Sequence, residues 1–341
     1  MLNIANTRLL NQQLVCPQTT DVHELVTWMG MLQAQEYTMM RWAVGIRMKQ
    51  PSMEAFRRAY DSGQIVRTHL FRCTWQLVAA EDLRWMLKLC ADKNKTAIKY
   101  YGHGISENDF KRANKLICQV LAGHKSMTKK TLLARLTEHG LSGDIHTMTR
   151  FLQMAEAEGL VCSGHLDEKQ NTYALIDERI SYTSELTHDE SAMLLARKYF
   201  RSHSPATLKD FAWWTNLNTS DCKNAISAIS SELTTERYNG EIYFLHQDCR
   251  TKGCRKKTLL LPAYDEYLLG YKSRHHVIED KFCQQAYNKN GFFYPVIVQD
   301  GNVIGNWHPL KECRFFNEDN KTDISKLLQQ YHKFMNSKTK K

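Results

Sequence analysis

The chain has 341 residues, roughly twice the usual length of one domain, so two or three domains are expected. Its 43% apolar and 24% charged residues are ordinary globular composition and exclude a mostly disordered chain. With 46 Lys and Arg against 36 Asp and Glu, the formal charge of +10 favours a polyanionic partner, nucleic acid ahead of anionic membrane.

Residues 21–31, 36–48 and 52–62 carry helical patterns, the last stopped by Gly63, and residues 65–68 and 73–78 read as strands. Gln33-Ala-Gln35 sits between the first two helices. Residues two apart share a face only on an extended segment, so an extended junction would aim two neutral carboxamides the same way. Ordinary interhelical capping amides are the other reading of that spacing.

Residues 109–121, 129–139 and 144–158 form the next helical set, with Gly140 and Gly159 as stops. Ile145, Met148, Leu152 and Ala155 recur at helical spacing in the third of these. Two short strands follow, 160–162 and 172–175. Three helices and then a hairpin is the winged-helix order, a variant of the helix-turn-helix. His146, Thr147, Arg150 and Gln153 lie off the apolar stripe, where a recognition helix would meet DNA. A solvated outer face, or a winged helix used for protein contact, gives the same pattern.

The order repeats with helices at 189–202, 207–215 and 220–233, where Cys222, Ile226, Ile229 and Leu233 share a face. Strands 234–238 and 241–245 flank Asn239-Gly240, a strong two-residue hairpin signal. Arg250-Thr-Lys-Gly-Cys-Arg-Lys-Lys257 then places Arg250, Lys252, Arg255, Lys256 and Lys257 together, either as phosphate contacts or as a solvated loop. From residue 258 the pattern turns to β, with strands at 259–261, 294–299 and 302–307, a closing helix at 324–335 and a frayed basic tail. The expected fold is mainly α with short β-hairpins. It comprises three tandem winged-helix-like units, at 1–105, 106–185 and 186–257, and a small β-rich C-terminal part at 258–341.

The 10 cysteines are scattered, without a C-x-x-C pair, and read as reduced thiols rather than disulfides or metal ligands. His275-His276 reads as part of a polar loop. No Walker A loop, G-x-S-x-G or H-E-x-x-H occurs. The longest uncharged run, from Leu9 to Thr20, falls short of the roughly 20 apolar residues of a membrane span, and the N-terminus lacks a signal-peptide pattern. A cytoplasmic location is expected.

Four ordered segments carry a resemblance. They are Leu32-Gln-Ala-Gln35; Ile65-Val-Arg-Thr-His-Leu-Phe-Arg-Cys-Thr-Trp-Gln-Leu-Val-Ala-Ala-Glu-Asp-Leu83; Ser204-Pro-Ala-Thr-Leu-Lys-Asp-Phe-Ala-Trp-Trp214; and Leu261-Pro-Ala-Tyr-Asp-Glu-Tyr-Leu-Leu-Gly-Tyr271 with Arg274 and Gly305-Asn-Trp307. Together they span nearly the whole chain and resemble the winged-helix DNA glycosylases of the AlkZ and YcaQ type, found in bacteria. The first segment has the AlkZ-like form, with a second Gln in place of Asp. One departure stands out: where the family usually has R-G-T-L-H, this chain has Arg72-Cys-Thr-Trp-Gln76, which bears on the substrate more than on the fold.

The resemblance implies a DNA repair enzyme that hydrolyses the N-glycosidic bond of alkylated purines, some interstrand crosslinks included. Double-stranded DNA is the implied partner, with no cofactor, no metal and no obligatory protein partner. It implies Gln33 and Gln35 as the catalytic residues, Arg67, Arg72 and Gln76 as DNA contacts beside Arg150 and the 250–257 cations, and Tyr264, Asp265 and Arg274 as pocket lining. Two amides can orient a water but cannot act as a strong base, which suits a cationic, already activated leaving group. A non-catalytic winged-helix DNA-binding regulator and a protein-interaction scaffold are the rival readings. Salt-sensitive DNA binding sets the scaffold apart, and release of alkylated base separates enzyme from regulator.

Overall fold

The computed structural model describes residues 2–182, 186–253 and 256–337. The chain forms two compact units: Met1–Phe56 with Ala192–Lys341, and the continuous stretch Arg57–Ser191. Helices dominate both, with short hairpins and small sheets between them. No helix among the described residues is long and apolar enough to cross a membrane.

In the continuous unit, strands Ile65–His69 and Trp75–Ala79 pair antiparallel and lead directly into the 22-residue helix Ala80–Tyr101. Both expected strands, 65–68 and 73–78, are therefore present, and the family-like segment 65–83 runs on from the second into the helix. Leu83, Leu87, Cys90, Asn94 and Ile98 make that helix's buried stripe, and the polar Asn94 within it hides the pattern from the sequence. Helices Glu107–Leu121, Lys129–Glu138 and Ile145–Ala157 follow. Their starts are fixed by side-chain caps: a reciprocal Ser106–Asp109 box, Thr128 and Asp144.

Strand Thr172–Leu175 lies between Met127–Thr128 and Val161–Cys162, closing a three-stranded wing. Phe110, Ile117, Leu132, Leu136, Met148, Phe151 and Leu152 fill the core beneath it. Ile145 does not join them. It is 59% exposed at the first position after the Asp144 cap, and Phe151 packs inward instead.

The other unit joins the two ends of the chain. Helices Ile4–Asn11, Val22–Met29 and Met39–Gly45, with strand Leu32–Gln33, come from the N-terminal side. Helices Leu208–Thr215 and Thr219–Ala228 come from the C-terminal side. There the hairpin Leu233–Tyr238 with Glu241–His246 turns at Asn239 and Gly240, both at positive φ, as a two-residue turn requires. A four-stranded antiparallel sheet runs in the order Arg314–Phe315, Asn302–Asn306, Val296–Gln299, Thr258–Leu261.

Leu9, Leu14 and Val15 share one core with Leu259, Leu261, Tyr267, Val296 and Val298. That shared core is why compactness divides the chain after residues 56 and 191, inside the expected parts 1–105 and 186–257. The closing helix Ser325–Met335 seats Phe334 on Gly45, where a Cβ would stand 2.8 Å from the ring. A side chain there would push the Phe334 ring off its seat.

Candidate active site

The Gln33-Ala-Gln35 segment is positioned by what precedes it. Gly30, at φ 77, ends the helix Val22–Met29, and a Cβ there would lie 3.1 Å from Cβ of Lys198. The chain then extends through Leu32–Gln33 and bends at Gln35 and Glu36. The extended segment that would align both amides thus covers only the first. Gln33 is 5% exposed, whereas Gln35 is open to solvent.

A buried carboxylate holds the inner residue. The Gln33 backbone N–H donates to Oε1 of Glu266 at 2.8 Å, and Nε1 of Trp214 donates to Oε2 at 3.0 Å. Nε2 of His203 lies 3.5 Å from the same Oε2, with both side chains buried. Burial lowers the His203 pKa, and the bond and charge of Glu266 only partly oppose that shift. Glu266, Trp214 and His203 were not singled out from the sequence, although Glu266 and Trp214 stand inside segments that carry the family resemblance.

Glu36 places a carboxylate directly after Gln35. It accepts from Oγ1 of Thr38 and from the Met39 N–H at 2.6 Å, starting the helix Met39–Gly45. Tyr264 is half-buried at φ 59, with its ring 6.2 Å from Phe293. Burial raises its phenol pKa, and the nearby Tyr294 and Glu36 add to the rise. The other two residues expected to line a pocket are held by the fold. Asp265 is 4% exposed, with both oxygens 2.8 Å from the Arg47 guanidinium. Arg274 donates from Nε to the Leu268 carbonyl at 2.7 Å and lies among Trp213, Tyr287 and Phe293, where burial lowers its pKa.

The basic segment divides. Lys252 and Lys256 are exposed. Arg250 donates from Nη1 to the Cys16 carbonyl at 3.1 Å and from its backbone to Asn11. Lys257 is exposed as a residue, but its Nζ turns in to donate to the Leu14 carbonyl at 3.3 Å, and the partial burial of the ammonium lowers its pKa. Arg255 and the tail from residue 338 lie outside the described residues.

In the continuous unit, two of the expected DNA contacts are withdrawn from solvent. Arg67 is 2% exposed, with its guanidinium 3.8 Å above the Trp75 ring and Nη1 donating to Asn171 at 2.8 Å. Gln76 is fully buried: Oε1 accepts from the Phe71 N–H at 3.1 Å, and Nε2 returns a bond to the Phe71 carbonyl at 3.2 Å. It locks the turn Phe71–Cys73, in which Arg72 (half-buried) and Cys73 sit at φ 61 and φ 51. This is where the departure from R-G-T-L-H falls in the structure. The family's glycine falls on a left-handed position that Cys73 occupies at a steric cost, and Gln76 ties the turn from within.

Arg150 is half-buried and belongs to a polar chain. Its Nη1 donates to Gln153 at 2.6 Å, Nε2 of Gln153 lies 3.3 Å from Nε2 of His69, and Nδ1 of His69 lies 2.6 Å from buried Glu156. The bonds are all satisfied when His69 donates from Nδ1 and accepts at Nε2.

Comparison with known proteins agrees with this architecture. A curated relative, the interstrand DNA cross-link repair glycosylase of Streptomyces sahachiroi, is 22% identical over 294 residues, covering 81% of this chain and 79% of its own. The solved structure of the Streptomyces sahachiroi DNA glycosylase AlkZ superposes with a TM-score of 0.77 at 19% identity, over 98% of this chain and 95% of that one. At that identity the likeness establishes the fold, mainly helical with winged-helix-like regions. The sequence profile of the AlkZ-like DNA glycosylases matches residues 26–314, and with most of its length inside that match the chain belongs to the AlkZ-like DNA glycosylase family.

Proposed function

We propose that this protein hydrolyses the N-glycosidic bond of cationic N-alkylated purines in double-stranded DNA, interstrand crosslinks included, with Gln33 and Gln35 holding the attacking water. Family membership supports a DNA repair glycosylase in general terms. The observation that carries the finer reading is the unequal setting of the two amides: Gln33 pinned through its backbone by buried Glu266, Gln35 open in the bend beside Glu36. A carboxamide carried on a pinned backbone and an accessible one two residues on can together orient a water between the protein and C1′ of a bound nucleotide. The three helix–hairpin stretches are proposed to serve as tandem winged-helix units that bind DNA.

In this mechanism the C1′–N bond breaks first or furthest, and the purine leaves with the bonding pair, which neutralises its positive charge. The water oxygen bonds to C1′ and its proton passes to solvent, because an amide cannot retain it. The products are an abasic site and free alkylated base. A neutral, undamaged purine would need a strong acid, which neither glutamine provides. The cross-link activity named for the Streptomyces relative supports including crosslinks among the substrates, since an N7-linked crosslink has the same cationic purine at each end.

The test is release of free 7-methylguanine from alkylated duplex. Release by the parent that is lost in the Gln33→Ala, Gln35→Ala double variant supports the proposal. Salt-sensitive binding without any release would leave a DNA-binding protein with no catalysis.

A further inference from the structure

Helix Ala80–Tyr101 ends in two adjacent tyrosines, Tyr100 and Tyr101, each 65% exposed. The last turn already has its packing residue, since Ile98 is 1% exposed within the unit's core. The two rings do no burying work there. They meet edge to face at 5.1 Å, and the exposed His103 ring lies 5.6 Å from Tyr100.

A cation adjoins them. The Arg150 guanidinium lies 5.6 Å from the Tyr101 ring, and a Cβ on Gly102 would stand 3.7 Å from Cγ of Arg150, so its stem runs alongside the helix end. Gln153 steadies the guanidinium, and among the described residues no carboxylate lies within ion-pair distance of it. The neighbouring lysines Lys95 and Lys99 pair with Glu158 and Glu107, which leaves Arg150, among the described residues, as the cation beside Tyr101 with no carboxylate directly on it. It also belongs to the outer face of helix Ile145–Ala157, which carries His146 and Thr147.

We propose that Tyr100 and Tyr101 form a stacking platform for an unpaired nucleobase, with Arg150 holding the adjoining phosphate. This rests on the DNA-glycosylase reading and deepens it by naming the state of DNA the protein grips: a locally opened strand rather than intact duplex. Aromatic faces accept any base, which suits an enzyme that must act regardless of sequence. A guanidinium beside a ring serves the backbone and adds a cation–π contribution.

The experiment measures binding of the full-length protein to a labelled duplex with a central three-nucleotide unpaired loop and to its fully paired counterpart, each over a salt series. The parent should favour the looped DNA. Tyr100→Leu with Tyr101→Leu should weaken looped binding by about 5- to 100-fold, while paired binding and the salt slope of both stay unchanged. Tyr100→Phe with Tyr101→Phe should bind as the parent does, since stacking needs the ring and not the hydroxyl. The platform is refuted if the leucine pair keeps the parent's preference, if the phenylalanine pair loses as much as the leucine pair, or if the parent has no preference. A parent that binds paired DNA without preference leaves the glycosylase reading standing, whereas a parent that binds neither DNA overturns both.

Discussion

Glu266 offers a demanding test of how the candidate site is built. Two buried N–H groups converge on its carboxylate, from Gln33 at 2.8 Å and from Trp214 at 3.0 Å. Glu266→Gln keeps the shape but leaves one oxygen for two donors and turns an NH2 group against the second. An orphaned buried donor costs about 1–3 kcal/mol, and bonds to a charged acceptor are about twice as strong as neutral ones. Removing a buried charge returns part of its desolvation penalty. The expected net loss is about 2–3 kcal/mol, or on the order of 5 °C in Tm for a unit of this size. Urea unfolding followed by tryptophan fluorescence reads it directly, because Trp214 is one of the two donors. Below the transition, base release by the folded variant should also slow, because Gln33 is no longer held from behind. An unchanged urea midpoint would refute the account of the carboxylate. A lowered midpoint with parental release would confine Glu266 to stability.

Three further outcomes are expected. Gln35→Ala should slow release of 7-methylguanine by about 10²-fold or less while melting as the parent does, because a cationic purine needs limited help; Gln35→Asp should retain activity where Gln35→Leu does not, and parental rates in the Ala variant would make the amide structural. Lys252→Ala with Lys256→Ala should flatten the log–log salt dependence of DNA binding by about 1.8 in slope, whereas buried Arg67→Ala should destabilise the fold without altering the slope; an unchanged slope in the lysine pair would assign both to free surface. Burial lowers the pKa of His203, and burial with nearby Arg8 lowers His276 to about 4, so the unfolded chain takes up these protons first. Their share of stability is complete above about pH 6.5 and is lost as pH falls below it, and His276→Gln should make the urea midpoint less sensitive between pH 7 and 4.

The elements readable from sequence were those whose signals are local. Asn239-Gly240 fixed its hairpin, and the Met148, Leu152 and Ala155 spacing marked the helix that does bury them. The two-residue strand Met127–Thr128 is too short to carry any alternation, so the third strand of the wing went unseen. Ile145 fitted the helical stripe yet stands in solvent, because one apolar residue at a helix start has no core opposite it. Gln33 and Gln35 were found through family resemblance, since spacing alone left them as possible caps. Gln33's anchor could not be found locally, because Glu266 is 233 residues away. Arg67 and Gln76 show the converse: the family resemblance implied a DNA contact, and burial assigns both side chains to the fold.

The Arg47–Asp265 pair has a consequence for the order in which the protein is made. Its members lie 218 residues apart, both fully within the unit built from the two ends of the chain. At ribosomal rates of about 5–20 residues per second, Arg47 emerges roughly 10–40 s before its partner. Through that interval the N-terminal helices lack both the carboxylate and the sheet that complete their core. The stretch Arg57–Ser191 is continuous and is synthesised whole within the same interval. The stretch 57–191 is therefore free to fold while residues 2–56 wait for the later residues that complete their core.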